Sequence, residues 1–313
     1  MRLVFAGTPA VAVPTLQALV ASDHDVVAVV TREDAPTGRK RVLTPSPVAD
    51  AAAALGIPVI KANRLDAVVT ERIAALSADL GVIVAYGGLV REPLLSTPVH
   101  GWINLHFSLL PSWRGAAPVQ RSIMGGDRVT GAAVFQLVAA LDAGPVFDRI
   151  ETPIGETETA GELLERLAIA GGPLTLSVVD AIAAGTAIGV EQSGDVTLAP
   201  KLGSDDARID WTKDAVAVDA LIRGVTPEPG AHTTIDGTRF KIHRATLVGG
   251  NDADADADAQ RLAPGVIVER DGQILIGTAT TPLRLHTVQP AGKTAMAAAD
   301  WWRGIDTESL VAS

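Results

Sequence analysis

No cysteine occurs in the chain, which excludes disulfides, thiolate metal sites and a cysteine nucleophile together. Positive charge is also in short supply. Lys and Arg number 26 against 36 Asp and Glu, a net charge of −10, so the chain lacks the overall basic signature of a nucleic-acid binder and leaves room only for a local basic patch. No long hydrophobic run is present. The apolar stretches at 80–86 and 168–179 are broken by Gly or Pro short of the ~20 residues a membrane span needs, and residues 1–10 read as a first strand rather than a signal peptide. A cytoplasmic protein without a membrane partner is expected. Gly7-Thr8-Pro9 follows that strand without the glycine spacing of a dinucleotide fingerprint, which disfavours an NAD-dependent oxidoreductase.

What is present is a folded protein with ample length for a core. Hydrophobic residues make up 47% of 313, and a prior of roughly 100 to 200 residues per domain gives two domains. The first half alternates apolar runs at 2–6, 26–30, 57–60 and 82–85 with helix-compatible segments at 9–20, 48–55 and 65–76. Strands near 102–107, 131–138 and 146–154 and a helix over 160–184 follow. This alternation predicts an α/β fold with a doubly wound, mostly parallel sheet over residues 1–189. Residues 190–207, rich in Gly, Ser, Asp and Pro, read as a linker. Over 208–313 a short helix at 213–223 precedes runs at 231–235, 238–248, 265–270, 273–278 and 283–288, with Asp236-Gly237 and Asp271-Gly272 as hairpin turns. That texture predicts a small C-terminal β-barrel, with the Asp-Ala alternation of 251–259 as a loop between strands.

The chemistry concentrates at residues 104–118. Asn104 and His106 are two apart on a strand and share one face at its carboxyl end, where open α/β sheets bind ligands. A histidine hydrogen-bonded within the core and a functional pair are about equally compatible with that spacing. Asp142, in Leu141-Asp142-Ala143-Gly144, reads either as a turn residue or as a carboxylate that orients His106 and raises its pKa. Arg39, Lys40 and Arg41 are either a solvated charge run or a basic loop over the same cleft. No metal-ligand cluster is visible.

Asn104-x-His106 followed by Ser108-Leu109-Leu110-Pro111 and Gly115, with Leu141-Asp142-Ala143-Gly144 downstream, resembles the formyltransferase family that uses 10-formyltetrahydrofolate. The opening Phe5-Ala6-Gly7-Thr8-Pro9, the basic loop through Pro45-Ser46-Pro47-Val48, the segment Ala207 to Trp211 and the tail Val288 to Asp300 extend that resemblance over essentially the whole chain. They point to the branch that formylates methionyl initiator tRNA in translation initiation.

The resemblance implies a Rossmann-like catalytic domain and an OB-like barrel that holds tRNA. It implies Asn104, His106 and Asp142 as catalytic residues, with His106 held at least partly protonated by Asp142. The folate pterin is expected near 84–91, with Tyr86, Gly87, Leu89, Ser108, Leu109, Leu110, Pro111 and Ala139 as its contacts. Arg39, Lys40 and Arg41 are expected at the tRNA acceptor end, Arg39 foremost. Lys201, Arg208, Arg223 and Lys241, with Arg239 and Arg244, are candidates on the barrel by charge and position. The 251–259 loop is expected to face away from the RNA, and a monomer is expected. The family rivals are a formyltransferase for a small amine and a formyl-folate hydrolase.

Overall fold

The Val- and Ile-rich runs of the first half form the strands of one seven-stranded sheet, seen in a computed structural model that describes residues 1–38, 41–248 and 261–313. In chain order the strands are β1 (Arg2–Gly7), β2 (Asp25–Thr31), β3 (Ala35–Thr37), β4 (Val42–Thr44), β5 (Val59–Lys61), β6 (Leu80–Val84), β7 (Trp102–His106), β8 (Arg114–Gly115), β9 (Val129–Gln136), β10 (Val146–Pro153) and β11 (Leu198–Ala199). The sheet order is β10-β9-β7-β6-β1-β2-β5. From β7 to β5 the strands run parallel, and β9 and β10 are antiparallel to their neighbours. β6 is buried along its whole length, as a strand covered on both faces must be.

The helices are α1 (Val13–Val20), α2 (Pro47–Ala54), α3 (Ala67–Ala74), α4 (Pro118–Met124) and α5 (Ala160–Ala183). Their starts are written locally. Ser46 caps α2 by accepting from the Ala49 N–H at 3.0 Å, with Pro47 in the first turn, and Asp66 caps α3 through the Val69 N–H at 3.0 Å; such caps contribute ~1 kcal/mol each. α5 continues through Gly171, Gly172 and Pro173, the apparent break in its apolar run. By length and composition alone it could cross a membrane, but Leu167, Val178 and Val179 are buried. A Cβ at Gly171 would stand 2.5 Å from Leu105 of β7, so glycine there allows the helix to lie close on the sheet.

By packing, the chain divides into two units. One comprises Met1–Pro118, Val129–Pro153 and Leu164–Pro200, the other Val119–Arg128, Ile154–Leu163 and Lys201–Ser313. Residues 190–200 therefore do not behave as a linker. β11 pairs with β8, and Val190 exchanges both backbone hydrogen bonds with Val146, at 2.8 and 2.9 Å.

The second unit adds α6 (Ala215–Gly224), β12 (His232–Ile235), β13 (Thr238–Leu247), β14 (Val266–Arg270), β15 (Gln273–Ile276), β16 (Leu283–Pro290), β17 (Met296–Ala297), α7 (Ala298–Trp302) and β18 (Ser309–Val311). The antiparallel path β12-β13-β16-β15-β14-β18 is joined end to end by an Ile235–Ala312 bridge and by reciprocal Thr234–Ser313 hydrogen bonds of 2.9 Å. Both hairpin turns read from the sequence form, with positive φ at Asp236, Gly237, Asp271 and Gly272, the conformation a two-residue turn needs to match strand twist. Phe240, Ile242, Ile267, Ile276, Leu285 and Val288 fill its core against Val218 and Ile222 of α6. At about 1.5–3 kcal/mol per buried side chain of this size, that cluster is the main stabilising element of the unit. Residues 249–260, and with them the expected Asp-Ala loop, lie outside the described residues.

Candidate active site

Strand alternation sorts β7. Leu105 faces α5, while Asn104 and His106 share the opposite face with Phe135 of β9, whose ring meets the imidazole edge-on at 6.3 Å. His106 is buried, and Nε2 lies 2.9 Å from the Trp113 carbonyl. A carbonyl only accepts, so Nε2 carries the proton and Nδ1 is the free nitrogen of the neutral ring. Oδ1 of Asn104 is buried without a hydrogen-bond partner among the described residues. A buried polar atom without a partner costs about 1–3 kcal/mol, and Oδ1, an acceptor, is open to a donor.

Asp142 reaches the pair by an indirect route. β9 leaves the sheet level with Ile103, at the amino half of β7, and the loop returns to β10 with the Gln136 N–H on the Pro145 carbonyl at 2.9 Å. Asp142 sits in this loop at φ +44°, a left-handed conformation that Asp tolerates better than most residues. Its Oδ2 accepts from the Gly115 N–H at 2.8 Å and lies 3.8 Å from Nδ1 of His106. Gly115 is itself at φ +128°, and a Cβ there would stand 2.6 Å from the Ala199 carbonyl oxygen of β11. Only glycine brings this N–H to the carboxylate.

The expectation of a protonated His106 is corrected by the surroundings. Burial, the larger influence, pulls its pKa below the ordinary histidine value, and the Asp142 charge and the Trp113 carbonyl offset this only in part. The ring is neutral at pH 7, with Nδ1 as a proton acceptor facing a carboxylate.

The segment missed by sequence reasoning is 190–200. The Trp113 N–H donates to Oγ1 of Thr197 at 2.8 Å and the Arg114 N–H to the Thr197 carbonyl at 2.9 Å. Gln192 Nε2 donates to the carbonyls of Asp142 and Gly144, at 2.7 and 2.9 Å, and its Oε1 accepts from Arg114. Gly and Ser around Gln192 disguised this as linker; the short apolar pair Leu198-Ala199 was the only local signal of a strand.

The expected folate contacts separate into two groups. Tyr86 is a core residue, 1% exposed, with its hydroxyl donating to the Ala62 carbonyl at 2.6 Å. Burial raises its pKa, with Arg32 opposing. Its side chain therefore faces the core, which leaves the backbone of this segment as the part that can contact a ligand. The Gly87 carbonyl accepts from Arg32, and exposed Leu89 lines a cavity of about 430 Å³ with Asn63, Arg64, Leu65, Asp66, Gly88 and Arg91. Ser108 is buried and donates to the Ser112 carbonyl at 2.5 Å; Leu110 packs on Phe135, while Leu109 and Pro111 are half-buried and Ala139 exposed.

Of the basic candidates, Arg41 is exposed at the tip of the β3–β4 hairpin, with Val42 and Leu43 exposed beside it. Arg39 and Lys40 lie outside the described residues. Lys201, Arg208 and Arg239 are exposed and Lys241 half-buried, and Arg239 meets Nδ1 of His232 at 3.1 Å. Burial first, then the charges of Arg239, Lys241 and Arg208, lower the pKa of His232, which places those cations around one imidazole. Arg244 pairs with Glu162 at 3.4 Å. Arg223 is different. It forms an internal pair with Asp219 at 2.7 Å, its side chain only 15% exposed, and is not offered to RNA. Among the described residues no group of three or more His, Asp or Glu could hold a metal.

Residues 1–179 match the formyl transferase family and residues 201–306 its C-terminal domain. The chain belongs to the formyl transferase family. Its relatives include the methionyl-tRNA formyltransferase of Clavibacter sepedonicus, 62% identical over 312 residues and covering 100% of both chains. A solved sugar 3N-formyl transferase, in the presence of dTDP and 5-N-formyl-THF, shares the fold at TM-score 0.68 and 15% identity, covering 94% of this chain and 99% of that one. The methionyl-tRNA formyltransferase from Clostridium thermocellum does so at TM-score 0.58 and 14% identity, covering 80% and 95%.

Proposed function

We propose that the chain transfers a formyl group from 10-formyltetrahydrofolate to the α-amino group of methionyl initiator tRNA. One observation carries the chemistry: Asn104, His106 and Asp142 meet on one face of β7 in a chain alike over its full length to methionyl-tRNA formyltransferases. The buried, unpartnered Oδ1 of the Asn104 amide is an acceptor, and it fits the attacking amine, which brings N–H donors into the site.

Asn104 donates to the formyl oxygen as negative charge develops there, the kind of preorganised donor typically worth two to three orders of magnitude in rate. Nδ1 of His106 accepts the proton lost by the attacking amine, and Asp142 stabilises the resulting imidazolium. His106 then delivers that proton to the departing N10 of the folate. One C–N bond forms, one breaks, and the proton passes from acceptor amine to leaving nitrogen.

Gly87, Leu89, Ser108 to Pro111 and Ala139 are the proposed surroundings of the folate, with the backbone of Tyr86 rather than its ring. Arg41 at the hairpin tip, with Arg39 and Lys40, contacts the acceptor end of the tRNA, and Lys201, Arg208 and Lys241 contact its phosphates. The first unit is the formyl-folate-binding catalytic domain and the barrel the tRNA-binding domain. The enzyme works as a cytoplasmic monomer.

The test is direct. Purified protein is mixed with 10-formyltetrahydrofolate and Met-charged initiator tRNA, with elongator Met-tRNA and no RNA as controls. Formylation confined to the initiator is expected; folate turnover without formyl-tRNA would move the chain to a hydrolase or a small-amine transferase.

A further inference from the structure

We propose that Gln192 is a positioning residue for formyl transfer, holding the Asp142 loop so that the carboxylate stands opposite His106. The inference rests on the catalytic reading of Asp142. Gln192 lies some fifty residues from that loop in the chain, yet all its hydrogen-bonding capacity is directed to the site's frame. Its two amide hydrogens go to the Asp142 carbonyl at 2.7 Å and the Gly144 carbonyl at 2.9 Å. Its oxygen takes two donors from Arg114, Nε at 3.1 Å and Nη2 at 2.7 Å.

Guanidinium only donates and carbonyls only accept, so the amide can be placed in one orientation only. With both hydrogens and both lone pairs engaged, Gln192 has nothing left for a substrate. It acts through Asp142.

The arrangement closes a ring. Arg114 precedes Gly115, whose N–H holds Oδ2 of Asp142, so Gln192 ties the backbone of the Asp142 loop to the strand that holds its side chain. The tie supports Asp142 at φ +44°, a left-handed conformation that Asp tolerates but that still costs more than the ordinary regions. Misplacement of a reacting group by ~1 Å can cost ~100-fold in rate.

The experiment compares the full-length wild type with Gln192→Leu and Gln192→Glu. The first removes every hydrogen bond at nearly constant volume, and the second keeps the Arg114 contact while losing both donors, so it serves if the first fails to fold. For either variant, kcat is expected to fall about 10- to 100-fold, with KM for both substrates within about threefold and the circular-dichroism spectrum unchanged. In an Asp142→Asn background the same substitution should cost less than about twofold, because the group it positions is already disabled. A folded variant with kcat within about twofold of wild type, or an equal loss in both backgrounds, would overturn the proposal and leave Asp142 catalytic. Near wild-type turnover of Asp142→Asn alone would instead overturn the catalytic reading, and the proposal with it.

Discussion

The Gly115 N–H holds Oδ2 of Asp142 at 2.8 Å, and this one backbone bond decides where the carboxylate meets the imidazole. Because Gly115 adopts φ +128° with the Ala199 carbonyl closing off the space for a side chain, Gly115→Ala must shift β8 against β11. Its kcat is expected to drop at least about tenfold while the protein stays folded, as read by steady-state formylation beside circular dichroism.

Alanine at Asn104, His106 or Asp142 removes a donor, a proton carrier or the partner of its charge. Each is expected to lower kcat by about two to three orders of magnitude, with smaller changes in KM, in a single-turnover formylation assay. Any of the three retaining near wild-type turnover would contradict the assigned chemistry.

Acid should act on His106 with a defined sign. Its pKa is lowered by burial from the ordinary 6.5, so as pH falls the unfolded chain takes up this proton first. Stability is fully present above about 6.5 and is lost as pH falls from there toward the folded-state value. Urea titrations at pH 7 and pH 5 should show a smaller acid loss for His106→Asn than for wild type. His232 and His286 are also lowered, each chiefly by burial, and cancel in that comparison. The acid limb of kcat/KM, which reports the free enzyme, should likewise lie below pH 6.5, since the lowered pKa delays protonation of Nδ1 ahead of the amine's arrival.

Arg223→Ala leaves the Asp219 carboxylate buried without its cation. Burial already raises the Asp219 pKa despite Arg223, and stranding such a partner costs about 3–5 kcal/mol. Thermal unfolding should show the loss, whereas tRNA affinity of the folded variant should be unchanged.

Arg41→Ala is expected to weaken tRNA binding and to reduce the slope of log affinity against log salt by about one, as for loss of a single phosphate contact. Folate KM should be unaffected. Fluorescence titration at low and moderate salt measures both.

Residues whose role depends on near neighbours in sequence were readable at once. The alternation of Val- and Ile-rich runs with Ser46- and Asp66-capped helices, and the two Asp-Gly turns, are local chemistry and appear where the sequence places them. Asn104 and His106 share a face because strands alternate. Residue type does not report burial, and so did not show that Arg223 is bound by Asp219 one turn away on α6.

By itself, then, the sequence determined the principal strands and helices, the family and the residue types of the site, since period, caps, turns and motifs act over a few residues. The short pieces β3, β4, β8, β11, α4, β17, α7 and β18 carry too little pattern to be read that way. The tertiary structure alone decided that His106 is neutral, because its ionisation depends on what excludes water from it. It alone turned 190–200 from an apparent linker into part of the site's frame. The bonds from Thr197 to Trp113, from Ala199 to Ala117 and from Gln192 to Asp142 join residues about fifty to eighty positions apart, a range over which no local pattern operates.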